Sequence, residues 1–285
     1  MQILDGKGLA SKIEVQIKEE VENLAKENIT PGLAVILVGN DPASSAYVNM
    51  KAKACNRTGI YSIKHEMPEN ISEDSLLQTI AMLNQNPNID GILVQLPLPK
   101  HISSTKVLEA IAPHKDVDGF HPFNMGRILA NLDGFTPATP LGVLTLLKSY
   151  NIPLQGKNVV IVGASNIVGK PLATLFLNEN ATITLCHIYT QNLAEHTKKA
   201  DILCVGVGKV NLITQEMVKE GAIIVDIGIN HLEDSRLVGD VDFENVSKKA
   251  SFITPVPGGV GPMTIASLLQ NTIKAAKLRK NKIKE

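Results

Sequence analysis

Leu9, Ile13, Ile17, Val21 and Leu24 recur at helical spacing, so residues from about 7 to 27 predict an amphipathic helix. Pro31-Gly32 breaks it, and residues 33–38 form a continuous apolar run of the kind buried on both faces of a parallel sheet. Asp41-Pro42 reads as an N-cap followed by proline at the first helical position. That helix carries Tyr47, Lys51 and Cys55 and ends at Gly59. Strands over 61–67 and 91–96 alternate with helices over 72–85 and 104–112, before the polar loop HKDVDGFHPFN. The scheme repeats with helices over 140–150, 167–178, 192–199 and 214–219 and strands over 158–162, 182–186, 202–207 and 222–227. Strict βα alternation predicts an α/β chain of two domains: a three-layer α/β domain, then a Rossmann-type doubly wound parallel sheet. Their boundary is expected between residues 119 and 140, a stretch of prolines, glycines and polar residues, giving domains of 1–120 and 121–264. A last helix, from about 261 to 279, follows TPVPGGVGP. At about 28 Å, it is long enough to return to the first domain, so segment 265–285 is expected to complete it.

Composition narrows the classes. The 285 residues allow two domains, and 28 basic against 28 acidic residues give no global charge for nucleic acid or an anionic surface. The last twelve residues hold six Lys/Arg and one Glu, which predicts a solvated helix end rather than a nucleic-acid arm. Cys55, Cys186 and Cys204 stand apart, without a C-x-x-C pair, as in a reduced cytosol. No apolar run approaches a membrane span, and Met1-Gln-Ile-Leu-Asp is no signal peptide, so a cytoplasmic globular protein is expected.

The stretch VVIVGASNIVGKP runs from a buried strand through Gly163 into a helix, where N–H groups and a helix dipole favour a phosphate. Its spacing departs from G-x-G-x-x-G, because Ser165 stands at the second glycine position. A nucleotide loop and an ordinary strand–helix turn both fit. Tyr47 and Lys51, four apart on one helix, share a face. They could form an acid/base pair, or a lysine snorkelling over an aromatic ring. Gln95 ends a buried strand, where open α/β sheets bind ligands, though such an amide also serves loop backbone. Asp116 and Asp118 flank Val117 and should point oppositely. Only one can face a given cleft, and turn capping beside Gly119 is the alternative role. No His/Cys/Asp/Glu spacing suggests a metal. In VPGGVGP, three glycines and two prolines predict a stiff loop approached closely by something else. Asp226-Ile-Gly-Ile-Asn230 ends a strand on the same rim as the Gly163 loop.

Six segments in order, DPASSAYVNMKAKAC, DGILVQLPLP, KDVDGFHPFN, VVIVGASNIVGKP, KEGAIIVDIGIN and ITPVPGGVGPMT, resemble the bifunctional methylenetetrahydrofolate dehydrogenase/methenyltetrahydrofolate cyclohydrolase family. The resemblance implies a site in a cleft between the domains, with tetrahydrofolate derivatives as substrates and NADP as cofactor. It implies that Lys51 does acid/base work at the folate, with Tyr47 stacking on the pterin–aminobenzoyl part and tuning Lys51. Gln95 would bond that lysine and the substrate, Asp118 would hold the pterin, and Pro257 and Gly258 would line the folate cleft. Gly163, Ala164, Ser165 and Ile229 would contact the nicotinamide cofactor. A cytosolic homodimer is also implied.

The chain departs from the family pattern in two places. Ile188 and Tyr189 occupy the loop where members carry a basic residue for a 2′-phosphate, which leaves NAD open unless Lys170 or His187 compensates. Ala138 replaces the family's cysteine before Thr139-Pro140. The rival readings are a monofunctional methylenetetrahydrofolate dehydrogenase, with NAD or NADP as its cofactor, and a non-catalytic nucleotide-sensing Rossmann protein. Neither gives a reason to keep Tyr47, Lys51, Gln95 and Asp118 together.

Overall fold

The computed structural model describes residues 1–232, 234 and 236–284. Strand β1 (Gln2–Ile3) and helix α1 (Gly6–Ala25) lead into β2 (Gly32–Val38), α2 (Pro42–Thr58), β3 (Tyr61–Met67) and α3 (Glu73–Gln85). Then come β4 (Gly91–Val94), α4 (Ser104–Ala110), α5 (Pro122–Leu129) and α6 (Ala138–Ser149). The later half holds β5 (Asn158–Val162), α7 (Gly169–Asn178), β6 (Thr182–Cys186), α8 (Leu193–Thr197), β7 (Ile202–Val205) and β8 (Ile223–Asp226). A hairpin of β9 (Asn230–His231) and β10 (Leu237–Val238), α9 (Phe243–Val246), β11 (Phe252–Ile253) and α10 (Val260–Lys284) complete the chain.

The chain divides into two compact units, one of residues 11–138 and 265–285, the other of 1–10 and 139–264. The division at 138/139 lies within the 119–140 stretch, beyond the 120/121 boundary of the sequence reading. Residues 121–138 stay with the first unit because Asn124 Nδ2 donates to Pro113 O (2.9 Å) and Asp116 Oδ2 (2.8 Å). That bond network also turns part of the expected polar loop into α5, whose first free amide, Phe123 N, is capped by His121 Nδ1 at 3.0 Å. Glu285, in the expected terminal segment, lies outside the described residues.

The first unit is built on a parallel sheet ordered β3-β2-β4. All seven residues of β2 are buried, as its unbroken apolar run predicts for a central strand. Ala34, Ile36 and Val38 face Leu76, Ile80 and Val107 from α3 and α4. Each fully buried Leu or Ile contributes about 1.5–3 kcal/mol. The second unit carries six parallel strands ordered β1-β11-β8-β7-β5-β6. The chain leaves β5 toward β6 and returns on the other side at β7, so the β5/β7 boundary is the topological switch point of this sheet. β1 and β11 were beyond sequence patterning, since two residues carry no periodicity. The helix expected over 214–219 shrinks to a single 3₁₀ turn, Gln215–Met217.

The basic tail belongs to the fold of the first unit. Lys274, Lys277 and Lys280 pair with Asp133, Glu20 and Glu27, each within 2.6 Å. Arg279 grips the buried Asp90 with two nitrogens, Nε–Oδ1 at 2.6 Å and Nη2–Oδ2 at 3.1 Å. Asp90 also accepts the Gly32 amide at the start of β2 (3.0 Å). Arg279→Ala would leave a buried carboxylate with one remaining donor. A loss of about 2–3 kcal/mol of stability is expected, readable as a lower urea midpoint. An unchanged midpoint would place the α10 anchor elsewhere. Among the described residues, no helix is long and apolar enough to cross a membrane.

Candidate active site

The residues picked from the first half of the chain meet in the first unit. Asp41 caps α2 by accepting the Ser44 amide (2.8 Å), and Pro42 starts the helix, which fixes the register of Tyr47 and Lys51 one turn apart. Lys51 is only 5 % exposed. Its Nζ donates to Gln95 Oε1 at 3.0 Å and lies 5.0 Å from the centre of the Tyr47 ring. Gln95 stands one residue beyond β4, its own amide still paired with Ile36 O of β2 (2.9 Å). Its Nε2 is engaged by Leu96 O (2.8 Å), so the amide oxygen is the atom turned to the lysine.

The two aspartates separate as alternation requires. Asp116 bridges to Ile92 of β4, and its buried carboxylate accepts the amides of Phe120 (3.1 Å) and His121 (2.9 Å) besides Asn124. It is a turn cap. Gly119, at φ +75°, closes that turn; a Cβ there would stand 2.6 Å from Pro137 N. Asp118 makes none of these turn contacts and interacts electrostatically with Lys51 instead.

Burial sets the proton chemistry of this group. It pulls the Lys51 ammonium below its ordinary range, while the Asp118 charge holds it partly up. It pushes the Asp118 carboxyl up to about 6, against the pull of Lys51. Gln95 Oε1 is the only hydrogen-bond acceptor for Nζ among the described residues, so an ammonium with three donors is under-satisfied there. The result is a lysine that gives up its proton more readily than a solvent-exposed one, beside a carboxylate. Cys55, one turn further along α2, is pushed up to about 11 by burial, so its thiol stays protonated.

The remaining predicted residues lie in the second unit. Gly163 directly follows β5, at φ +116°, and a Cβ there would fall 2.3 Å from Gly206 O in the loop after β7. A Cβ on Gly169 would fall 1.8 Å from Gly163 O. These two glycines, six apart, let the loop fold under the start of α7, which explains the irregular spacing. Ser165 replaces the missing glycine with a cap: its Oγ accepts the amides of Val168 (3.1 Å) and Gly169 (3.4 Å), and α7 begins at Gly169 rather than 167. Ala164 lies between them. The loop thus sits at the carboxyl end of β5, on the switch point, where nucleotides bind open α/β sheets. The close glycine approaches and the helix start fit a dinucleotide pyrophosphate. Ile229 follows β8 and is half exposed. Pro257 follows a cis Val256–Pro257 bond, and Gly258, at φ +107°, accepts the Lys7 amide through its carbonyl (2.8 Å). Ile188 and Tyr189 are 91 % and 85 % exposed at the tip after β6. Lys170 Nζ reaches Asn166 Oδ1 (2.7 Å) on the first turn of α7. Among the described residues, no group of three His, Cys, Asp or Glu could hold a metal ion.

Two family models match. The tetrahydrofolate dehydrogenase/cyclohydrolase catalytic domain covers residues 4–118, and the NAD(P)-binding domain of the same enzymes covers 137–280. The chain belongs to the tetrahydrofolate dehydrogenase/cyclohydrolase family. Its sequence is 71 % identical over 280 residues to the bifunctional protein FolD of Wolinella succinogenes, covering 98 % of both chains. The bifunctional FolD methylenetetrahydrofolate dehydrogenase/cyclohydrolase of Campylobacter jejuni superposes with a TM-score of 0.97 at 56 % identity, over 98 % of this chain and 99 % of the other. The FolD of Trypanosoma brucei, solved with NADP cofactor and an inhibitor, gives 0.93 at 36 % identity over 96 % of both. A bifunctional dehydrogenase/cyclohydrolase of two α/β domains is therefore what the family membership supports. What the sequence reading of this family member missed are the buried carboxylates Asp90, Asp226 and Asp240, whose partners are distant in the chain. Only the DIGIN segment carried a signal, through the position of Asp226 at a strand end.

Proposed function

We propose that this chain oxidises 5,10-methylenetetrahydrofolate with NADP and hydrolyses the resulting methenyl cation to 10-formyltetrahydrofolate, with Lys51 as the proton carrier. The observation that carries the reading is the buried Lys51, bonded to Gln95 and facing Tyr47 and Asp118. In the dehydrogenase step the bound nicotinamide supplies the hydride acceptor. The chain's own part there is alignment of the two reacting faces. Gly163, Ala164, Ser165 and Ile229 support the cofactor, and Pro257 and Gly258 the folate.

In the cyclohydrolase step water adds to the methenyl carbon, and uncharged Lys51 takes one of its protons. The C–N5 bond then breaks, the carbinol oxygen loses its proton to become the formyl oxygen, and N5 gains one. Ring opening and hydration together release one proton. Gln95 keeps the amine aimed, Tyr47 stacks on the folate, and the Asp118 carboxylate accepts two N–H bonds from the pterin edge. Assembly as a homodimer and a cytoplasmic location belong to the same proposal and rest on the family resemblance.

The deciding experiment is a spectrophotometric assay with methylenetetrahydrofolate, run with NADP and NAD in parallel. NADP-dependent turnover is expected, and silence with both cofactors would sink the proposal. In the same assay Lys170→Ala should raise KM for NADP and spare NAD, because Lys170 is the cation proposed to replace the missing basic residue. Faster turnover with NAD than with NADP would favour the NAD-preferring reading, for which the exposed apolar Ile188 and Tyr189 speak.

A further inference from the structure

The loop after β7 is held by a single buried carboxylate. The amides of Val207 and Gly208 donate to Asp240 Oδ2 at 2.6 and 3.0 Å, and that of Lys209 to Oδ1 at 2.8 Å. Three successive N–H groups converging on one point form an anion nest, and Gly208 at φ +71° supplies its curvature. Here the chain fills the nest with its own side chain, which has no exposed surface.

Asp240 Oδ1 also accepts Asn230 Nδ2 at 2.9 Å, so one carboxylate ties the 207–209 loop to the segment that carries Ile229. Asp240 is itself fixed from behind. Asp226, at the end of β8, accepts the amides of Asp240 (3.0 Å), Val241 (2.9 Å) and Gly228 (3.0 Å). The packing leaves no slack: a Cβ on Gly228 would stand 2.3 Å from the Asp240 carboxyl carbon, and one on Gly239 1.8 Å from Asp226 Oδ2. The held loop in turn abuts the dinucleotide loop, since Gly206 O is the atom that forbids a side chain at Gly163. An ionised carboxylate is costly to bury unless donors surround it, and this one has four.

We propose that Asp240 is the positioning residue of the cofactor rim. Its carboxylate locks the loop after β7 and the Ile229–Asn230 segment in the arrangement that receives the nicotinamide half of the dinucleotide. The inference rests on the proposed NADP site, and bifunctionality separates the two, because the cyclohydrolase step uses no nicotinamide.

In the full-length protein, Asp240→Asn replaces one acceptor oxygen by a donor facing other donors. KM and Kd for NADP should rise about tenfold or more. Cyclohydrolase kcat and KM should stay at their wild-type values. Asp240→Ala leaves the nest empty, and added formate should restore NADP affinity where the same concentration of chloride does not. Gly228→Ala, which presses on the carboxylate from outside, should mimic Asp240→Asn and provides the test if Asp240→Ala does not fold. An unchanged NADP constant in Asp240→Asn and Gly228→Ala, an equal loss of both activities, or a folded Asp240→Ala deaf to formate would overturn the assignment. Wild-type protein that binds no NADP would instead refute the cofactor reading itself.

Discussion

Lys51→Ala is expected to lower cyclohydrolase turnover by about 10²–10⁴-fold, the range contributed by a positioned general acid–base group. The variant should stay folded. The caps of α2 at Asp41 and Gly59 do not involve Lys51, and removing a buried ammonium relieves a desolvation cost. NADP affinity should therefore persist, which fluorescence titration checks alongside a circular-dichroism melt. Lys51→Arg should fail as completely as alanine, since a guanidinium stays protonated in proteins and cannot take a proton from water. Retention of most cyclohydrolase activity in either variant would remove Lys51 from its role.

Asp118→Ala should weaken folate binding by about 100-fold while leaving the NADP dissociation constant unchanged. Two hydrogen bonds to a carboxylate contribute about 1.5–3 kcal/mol each, and relief of its burial offsets part of their loss; about 3 kcal/mol net corresponds to that factor. A pH profile gives an independent reading. With its carboxyl pushed up to about 6, Asp118 is ionised at pH 7.5 and takes up a proton as the pH falls through 6. Protonation removes acceptor capacity, so KM for the folate should climb below pH 6 while KM for NADP stays level. Asp118→Asn should have a raised but pH-independent KM over the same window. Equal losses for folate and NADP, or a flat wild-type profile, would count against the pterin assignment.

Hydrophobic patterning carried the architecture wherever elements were long. β2 is apolar throughout because it is central and buried on both faces, and α1 shows its stripe because only one face is covered. It failed for two-residue strands such as β1 and β11, and at 214–219, where one turn satisfies a helical pattern without making a helix. Helix spacing alone put Tyr47 and Lys51 on one face. Alternation alone stated that Asp116 and Asp118 could not share a role.

What the sequence by itself determined is therefore local: which residues form strands and helices, which side chains share a face, and, through six ordered segments, the family. The tertiary structure decided the rest. It brought Gln95 to the Lys51 amine, assigned Asp116 to a turn and Asp118 to the lysine, and stripped water from that lysine. It also turned a run of basic tail residues into anchors for Asp90, Asp133, Glu20 and Glu27. The physical reason is common to all of these. Desolvation and ion pairing depend on which distant groups surround a side chain, and no spacing along the chain records that.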